Sequence, residues 1–133
     1  MNFQSRKVSL DQSQQKAFDH LKEMSNYEKL MPEESEFSVH ESGEGFSVQL
    51  KGLPKVGLKL KEIQEPDFIL FTSPSDNFNY EMKVNVASTG DNSSEVSIDF
   101  NGKFNPMIAM MAKKPLTKLI ETIADNLETK GIS

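Results

Sequence analysis

Histidine is the side chain that most often carries metal or acid–base chemistry near neutral pH, and this sequence has two of them. His20 lies near Asp19 and Glu23 on a segment with helical spacing, whereas His40 lies on a segment with strand-like alternation. Neither has a second histidine at ligand spacing, and protein zinc sites bring three or four strong ligands together. The sequence therefore predicts no metal site, and we interpret the surroundings of His20 as a solvated helix face.

The motifs of nucleophilic and phosphate chemistry are also missing from the sequence. It contains no Gly-x-Ser-x-Gly turn, no phosphate-binding loop and no dinucleotide fingerprint. The Gly-Glu-Gly at 43–45 is typical of a hairpin turn. The chain has no cysteine, so it has neither a thiol nucleophile nor a disulfide framework. We predict no catalytic residue and no cofactor.

General acid–base catalysis would need a titratable side chain on the inner face of the fold. The strongly alternating stretches 78–86 and 95–100 place their charged residues on the outward parity, namely Glu81, Lys83, Glu95 and Asp99. Tyr80 is the clear polar residue on the inward parity. Its hydroxyl either finds a partner within the core or orients the polar end of a bound ligand.

Composition narrows the class of partner. A chain of 133 residues is the size of one domain, so we expect a single domain over 1–133. Its formal charge of -5 repels phosphate backbones, which disfavours nucleic acid as a partner. No apolar run reaches the length of a membrane span, and the first ten residues lack a secretory pattern. With no cysteine either, we expect a cytoplasmic protein.

The elements that would position these residues are mostly strands. Val8 and Leu10 mark a short first strand, and residues 11–31 carry a helix and a second short turn, because their apolar residues recur at helical spacing. From 37 to 104 the period changes to two, which predicts about six antiparallel strands. The parity of 68–71 stays open, because four apolar residues are consecutive there. The predicted inward residues of the other strands are Phe37, Val39, Phe46, Val48, Leu50, Val56, Leu58, Leu60, Phe78, Tyr80, Met82, Val84, Val86, Val96, Ile98 and Phe100.

A long helix is predicted near the C-terminus. Asn105 is a suitable N-cap, and Pro106 fits the first helical position, where its missing N–H costs nothing. Pro115 lies inside the helix and predicts a kink, because it removes one hydrogen bond and clashes with the preceding turn. The apolar stripe expected to cover the sheet consists of Ile108, Ala112, Leu116, Leu119, Ile123 and Leu127.

Three methionines, Met107, Met110 and Met111, fall largely off that stripe. They either fill an irregular gap in the core or line a deformable ligand cavity under the helix. The lysines Lys113, Lys114 and Lys118 follow them, and form either a solvated face or a docking patch.

The chain resembles the START-like superfamily called SRPBCC. The resemblance rests on the segments "SRKVSLDQSQQKAFDHLKEMSNYEKLMP", "KEIQEPDFILFTS" and "FNPMIAMMAKKPLTKLIETIADNL", and it covers nearly the whole chain. It implies an α+β helix-grip fold, in which a curved antiparallel sheet wraps around a long C-terminal helix and leaves a hydrophobic cavity between them. Because members include carriers, cyclases, hydrolase-like enzymes and co-chaperones, the resemblance specifies activity weakly.

Three functions therefore stay open, and we expect binding more than catalysis. The first is non-enzymatic binding of a small lipid-like or aromatic molecule. The second is a polyketide cyclase or dehydratase activity, which the lack of an inward acid or base disfavours. The third is a co-chaperone-like module that contacts a protein partner through the methionine end of the helix. For the first, the predicted ligand-binding residues are Phe46, Val48, Leu58, Tyr80, Met82, Val84, Met107, Ile108 and Met111.

Overall fold

A computed structural model describes residues 1–50, 55–74 and 79–131. The predicted inward residue Phe78 lies outside these described ranges. In chain order the elements are β1 (Asn2–Gln4), β2 (Val8–Leu10), α1 (Gln14–Leu21), a 3₁₀ segment (Met24–Leu30), β3 (Glu36–Val39), β4 (Gly45–Gln49), β5 (Val56–Gln64), β6 (Phe68–Thr72), β7 (Asn79–Gly90), β8 (Ser93–Lys103) and α2 (Pro106–Lys130).

The strands of the described chain form one curved antiparallel sheet. Its order is β1-β8-β7-β6-β5-β4-β3, and β2 pairs with β8 beside β1, which makes eight strands within the described ranges. The six strands from β3 to β8 and the short strand β2 agree with the sequence prediction. Strand β1 was not predicted, because Phe3 is its only apolar residue and a single residue shows no alternation.

The inner face of the sheet forms the core. Of the inward residues predicted from the alternation, Phe37, Leu60 and Tyr80 are half-buried and Val39 is 41% exposed, on the edge strand β3. The remaining predicted inward residues within the described ranges are buried. The alternation predicts burial better for a central strand than for an edge strand such as β3, because a central strand has a neighbouring strand on each side.

The structure shows which residues of β6 face the core, a point that the sequence left open for residues 68–71. It pairs with both β5 and β7, so it is a central strand. Ile69 and Phe71 are fully buried on the inner face, whereas Phe68 and Leu70 are half-buried on the outer face. The Nζ of Lys83 lies 4.3 Å from the centroid of the Phe68 ring, which covers part of that outer apolar surface.

The first helix and the 3₁₀ segment close one side of the inner face. Ser13 caps α1, since its hydroxyl accepts a hydrogen bond from the Lys16 amide at 3.2 Å. Both elements turn apolar residues inward, as their helical spacing predicts. The buried residues are Ala17, Phe18 and Leu21 on α1 and Met24, Tyr27 and Leu30 on the 3₁₀ segment.

Helix α2 packs against β2, β8 and the 3₁₀ segment. The Asn105 side chain accepts a hydrogen bond from the Ile108 amide at 2.9 Å, which confirms the predicted N-cap. The helix runs without interruption from Pro106 to Lys130, with Pro115 inside it. The predicted kink at Pro115 stays a prediction. The predicted stripe is buried except for Ile108, which is half-buried, and Ile120 and Ala124 are buried beside it.

Within the described ranges, every helix is too short or too polar to cross a bilayer.

Candidate ligand-binding groove

A groove of about 1020 Å³ lies between the middle of α2 and the segment that leads from the 3₁₀ segment to β3. Helix α2 supplies one wall of the groove, the connecting segment 32–35 supplies the other, and Leu50 follows the end of β4. Among the described residues, the lining consists of Pro32, Glu34, Ser35, Leu50, Lys113, Lys114, Pro115, Thr117, Lys118, Leu119 and Glu121.

The wall opposite α2 is held by hydrogen bonds on both of its sides. Pro32 ends the helical region, and Ser35 turns the chain by donating its amide and its hydroxyl to the Pro32 carbonyl at 3.1 and 2.5 Å. Further back, the Asn126 side chain donates to the Leu30 carbonyl at 2.9 Å, and the Lys130 ammonium donates to the Lys29 carbonyl at 3.0 Å. The end of the 3₁₀ segment is therefore fixed to the C-terminal half of α2.

The groove combines apolar and charged surfaces. Leu50 and Leu119 are buried side chains that still border it, so they form its apolar floor. The charged residues Lys113, Lys114, Lys118, Glu34 and Glu121 are all exposed. A long lysine side chain can cover an apolar wall with its methylene groups while its ammonium stays in water.

An aromatic cluster lies in the core beneath the 3₁₀ segment. The Tyr27 ring stacks on Phe46 with centroids 4.8 Å apart and meets the edge of Phe71 at 5.7 Å. Its hydroxyl is buried and has no hydrogen-bond partner among the described residues. Burial raises the pKa of the Tyr27 phenol, because the charged form loses its hydration. The sequence analysis did not single out Tyr27, and nothing in the sequence indicated an unpaired hydroxyl.

Tyr80, the inward polar residue predicted from the alternation, has a partner. Its hydroxyl donates to the Gly57 carbonyl at 2.7 Å, and its ring stacks on Phe100 at 5.8 Å. Burial raises the pKa of Tyr80. Tyr80 also borders a smaller cavity of about 380 Å³, lined by Asn2, Lys61, Thr72, Ser73, Asn79, Tyr80, Glu81, Asn101, Gly102 and Lys103. Because polar side chains dominate the described part of that lining, the smaller cavity suits an apolar ligand less well than the groove.

The predicted ligand-binding residues separate into two groups. Phe46, Val48, Leu58, Met82 and Val84 lie together in the core and are at most 1% exposed. Met107 and Met111 are 72% and 62% exposed, and Ile108 is half-buried. Met110, which neighbours them on the helix, is 82% exposed. The structure therefore does not bring the methionines of α2 together with the strand residues, and the predicted set as a ligand site stays a prediction.

The histidines have ordinary surroundings. His40 Nε2 lies 2.8 Å from the Ser47 hydroxyl, so the two share a hydrogen bond. Partial burial and, secondarily, the charge of Lys29 lower the pKa of His20. No group of three or more potential metal ligands occurs in the part of the chain that the structure describes.

The fold has close counterparts among solved structures. A START superfamily protein from Mycobacterium smegmatis matches with a TM-score of 0.66 and 15% identity, over 97% of this chain and 95% of that one. The protein XoxI from Bacillus cereus matches with a TM-score of 0.74 and 11% identity, over 99% and 96%. Norcoclaurine synthase from Thalictrum flavum, in complex with dopamine and hydroxybenzaldehyde, matches with a TM-score of 0.62 and 13% identity, over 94% and 84%. This chain has the START-like helix-grip fold.

The sequence comparisons add no family or activity. No protein-family model matches the chain, and no curated protein matches it. The likeness therefore establishes the START-like fold, which the sequence predicted, and says nothing of chemistry, because one fold can host carriers and enzymes alike.

Proposed function

We propose that this protein binds a small apolar molecule, without catalysing a reaction, in the groove between α2 and the segment 32–35. The observation that carries the proposal is a groove of about 1020 Å³ with Leu50 and Leu119 as its floor. Small-molecule pockets are mostly apolar and measure roughly 300–1,000 Å³. The fold supports the proposal, since norcoclaurine synthase with the same fold was solved with two small aromatic molecules.

The size of the apolar contact limits the expected affinity. Burying about 250 Å² of ligand surface at about 25 cal/mol per Å² gives roughly 6 kcal/mol before the costs of association. We therefore expect micromolar affinity or weaker, with modest selectivity among apolar ligands.

A fluorescence titration with N-phenyl-1-naphthylamine, an uncharged apolar dye, tests the proposal. We expect a saturable signal from the wild-type protein and its loss in Thr117→Trp, because Thr117 lines the groove and an indole would fill it. Thr129→Trp is the matched control, since Thr129 is exposed on the same helix outside the groove. The proposal is wrong if the wild type gives no saturable signal, or if both variants bind the dye equally.

Methyl-labelled methionine reports where the ligand lies. A ligand in the groove should shift the methyl resonance of Met31, next to Pro32, and leave that of Met82 unchanged. If the predicted strand residues form the site instead, the methyl resonance of Met82 should shift, because Met82 is fully buried among them.

The variant Met111→Lys gives a second test of where the ligand binds. It should leave dye binding intact if the groove is the site and abolish it if the methionines line the site.

A protein-interaction role is the second candidate, and one specific observation favours it. Met107, Met110 and Met111 are 62–82% exposed on the side of α2 opposite its buried face. Exposed apolar clusters often mark contact sites, and methionine is enriched at protein interfaces. The methyl spectra separate the two roles, since a protein partner would shift these three resonances and leave that of Met31 unchanged.

A further inference from the structure

The charges along the chain are unevenly distributed around the groove. Between Asp99 and Glu121 the charged residues are Lys103, Lys113, Lys114 and Lys118, with no acidic residue among them, although the whole chain has 20 acidic and 15 basic residues. Three of these four lysines line the groove. This stretch is a local excess of positive charge in an acidic chain, and such an excess attracts anions.

Four side-chain cations of the described ranges form ion pairs, namely Arg6, Lys7, Lys22 and Lys61, and the three groove lysines are among those that do not. Lys61 pairs with Glu81 at 2.8 Å, and Lys22 pairs with Asp19 at 3.5 Å. Within the described ranges, no ion pair involves Lys113, Lys114 or Lys118. Lys114 and Lys118 are four residues apart on α2, a spacing at which like charges destabilise a helix. An anion beside them would relieve this repulsion.

Two carboxylates border the same groove and limit where an anion can lie. Glu34 lies on the opposite wall and Glu121 lies towards the C-terminal end of α2. Lys113 and Lys114 lie at the other end of the lining segment of the helix, near Pro115. The anionic group is therefore expected at the end of the groove that faces the N-terminal half of α2, away from Glu121.

We propose that the ligand of the groove is an anionic amphiphile, with its apolar part over Leu50 and Leu119 and its anionic group held by Lys113, Lys114 and Lys118. This inference rests on the proposed function, because it assigns a chemical class to the ligand of the same groove. Lysine ammonium groups are flexible point charges, so carboxylate, sulfonate and phosphate groups all fit them. The three exposed pairings are each weak, but together they give an anionic ligand an advantage of about fivefold or more over a neutral one.

Two dyes with the same ring system test the inference. 1-Anilinonaphthalene-8-sulfonate carries a sulfonate that N-phenyl-1-naphthylamine lacks, so the ratio of their Kd values measures the contribution of the charge. We expect the wild type to bind the sulfonate dye about fivefold tighter, and this preference to shrink at high salt because exposed charges are screened. Dodecanoate should displace the dye at lower concentration than dodecanol, whereas vesicles of anionic lipid should compete if membrane lipid is the source of the ligand.

A matched pair of triple variants assigns the preference to the groove. Lys113→Gln, Lys114→Gln and Lys118→Gln together should bring the two Kd values together, whatever the change in affinity for the neutral dye, because the ratio of the two values reports the contribution of the charge. Lys16→Gln, Lys55→Gln and Lys59→Gln remove the same charge from exposed lysines outside the groove and should keep the preference. Circular dichroism checks that both variants fold, and the three single groove variants replace the triple variant if it does not.

The outcomes separate this inference from the proposed function. If neither dye binds, or if only the sulfonate dye binds, apolar binding in the groove is wrong. If both dyes bind with equal Kd, or if the folded groove variants keep the preference of the wild type, the apolar groove stands and its selectivity for anionic ligands is wrong.

Discussion

In α2, the half after Pro115 buries six side chains, whereas the half before it buries only Ala112. The buried side chains of the C-terminal half are Leu116, Leu119, Ile120, Ile123, Ala124 and Leu127. That half is also joined to the 3₁₀ segment by hydrogen bonds from Asn126 and Lys130, and Arg6 pairs with Asp125 and Glu128 beside it. The N-terminal half presents three exposed methionines and two lysines instead.

The difference shows that the two halves of one helix contribute unequally to the core. The C-terminal half supplies stability, because each of its apolar side chains is removed from water. The N-terminal half contributes little to the core, so its side chains are free to meet a ligand or a partner at small cost to folding. The groove lies at the boundary between the two halves, next to Pro115.

The largest expected effect comes from shortening a buried side chain of the C-terminal half. Ile123→Ala should lower the free energy of unfolding by about 2–5 kcal/mol, because it removes a buried aliphatic group and leaves a cavity. Met110→Ala in the N-terminal half should change it by less than about 0.5 kcal/mol, since that side chain is already exposed. Urea titrations of both variants measure the difference. Similar losses in the two variants would show that the N-terminal half is also part of the core.

A smaller effect on the free energy of unfolding, of opposite sign, is expected at Tyr27, beneath the C-terminal half of α2. Tyr27 lies in the 3₁₀ segment that contacts α2, and its buried hydroxyl has no partner in the described chain. Tyr27→Phe should raise the free energy of unfolding by about 1 kcal/mol, because an unpaired buried hydroxyl costs about 1–3 kcal/mol. Tyr80→Phe is the control and should lower it by about 1 kcal/mol, since the Gly57 carbonyl loses its donor.

The stability difference between wild type and Tyr27→Phe is also predicted to depend on pH. Burial raises the pKa of Tyr27 above its ordinary value near 10.0, so the folded state favours the neutral phenol. This contribution to stability is complete below that ordinary value and declines as the pH rises above it. Wild type should therefore lose more stability than Tyr27→Phe when the pH is raised beyond 10.0. Equal losses, or destabilisation by Tyr27→Phe at neutral pH, would indicate that water or another group satisfies the hydroxyl.

The smallest effect on overall stability is expected from a substitution of Pro115, at the boundary between the two halves of α2. A proline inside a helix lacks the N–H that would donate to the carbonyl four residues earlier, here that of Met111, and its ring crowds the preceding turn. Pro115→Ala should slow amide hydrogen exchange in residues 108–114 by about tenfold, or about 1.4 kcal/mol of local opening, and leave residues 119–127 unchanged. Lys114→Ala is the control, because it favours helix formation without restoring a donor. Unchanged exchange in Pro115→Ala would mean that the proline occupies a bend that the helix accommodates.

Local patterns in the sequence were enough to predict most of the elements. Strands β7 and β8 have long unbroken alternations, and α2 has a cap, a first-turn proline and a broad apolar stripe. These signals depend only on neighbours along the chain, so they could be read without the fold. They also predicted the inward position of Tyr80 and the off-stripe position of the methionines, whereas the START-like fold was predicted from the resemblance of three segments to that superfamily.

Other features were decided by tertiary packing. The inward face of β6 follows from its two partner strands, because four consecutive apolar residues carry no parity of their own. The exposure of Met107 and Met111 depends on how far α2 reaches beyond the elements it packs on, which helical spacing does not specify. The groove requires Leu50, the segment 32–35 and the middle of α2 to meet, although they are far apart in sequence. Residue types and spacing therefore determined what each element buries, whereas the shape left between elements depended on how they pack together.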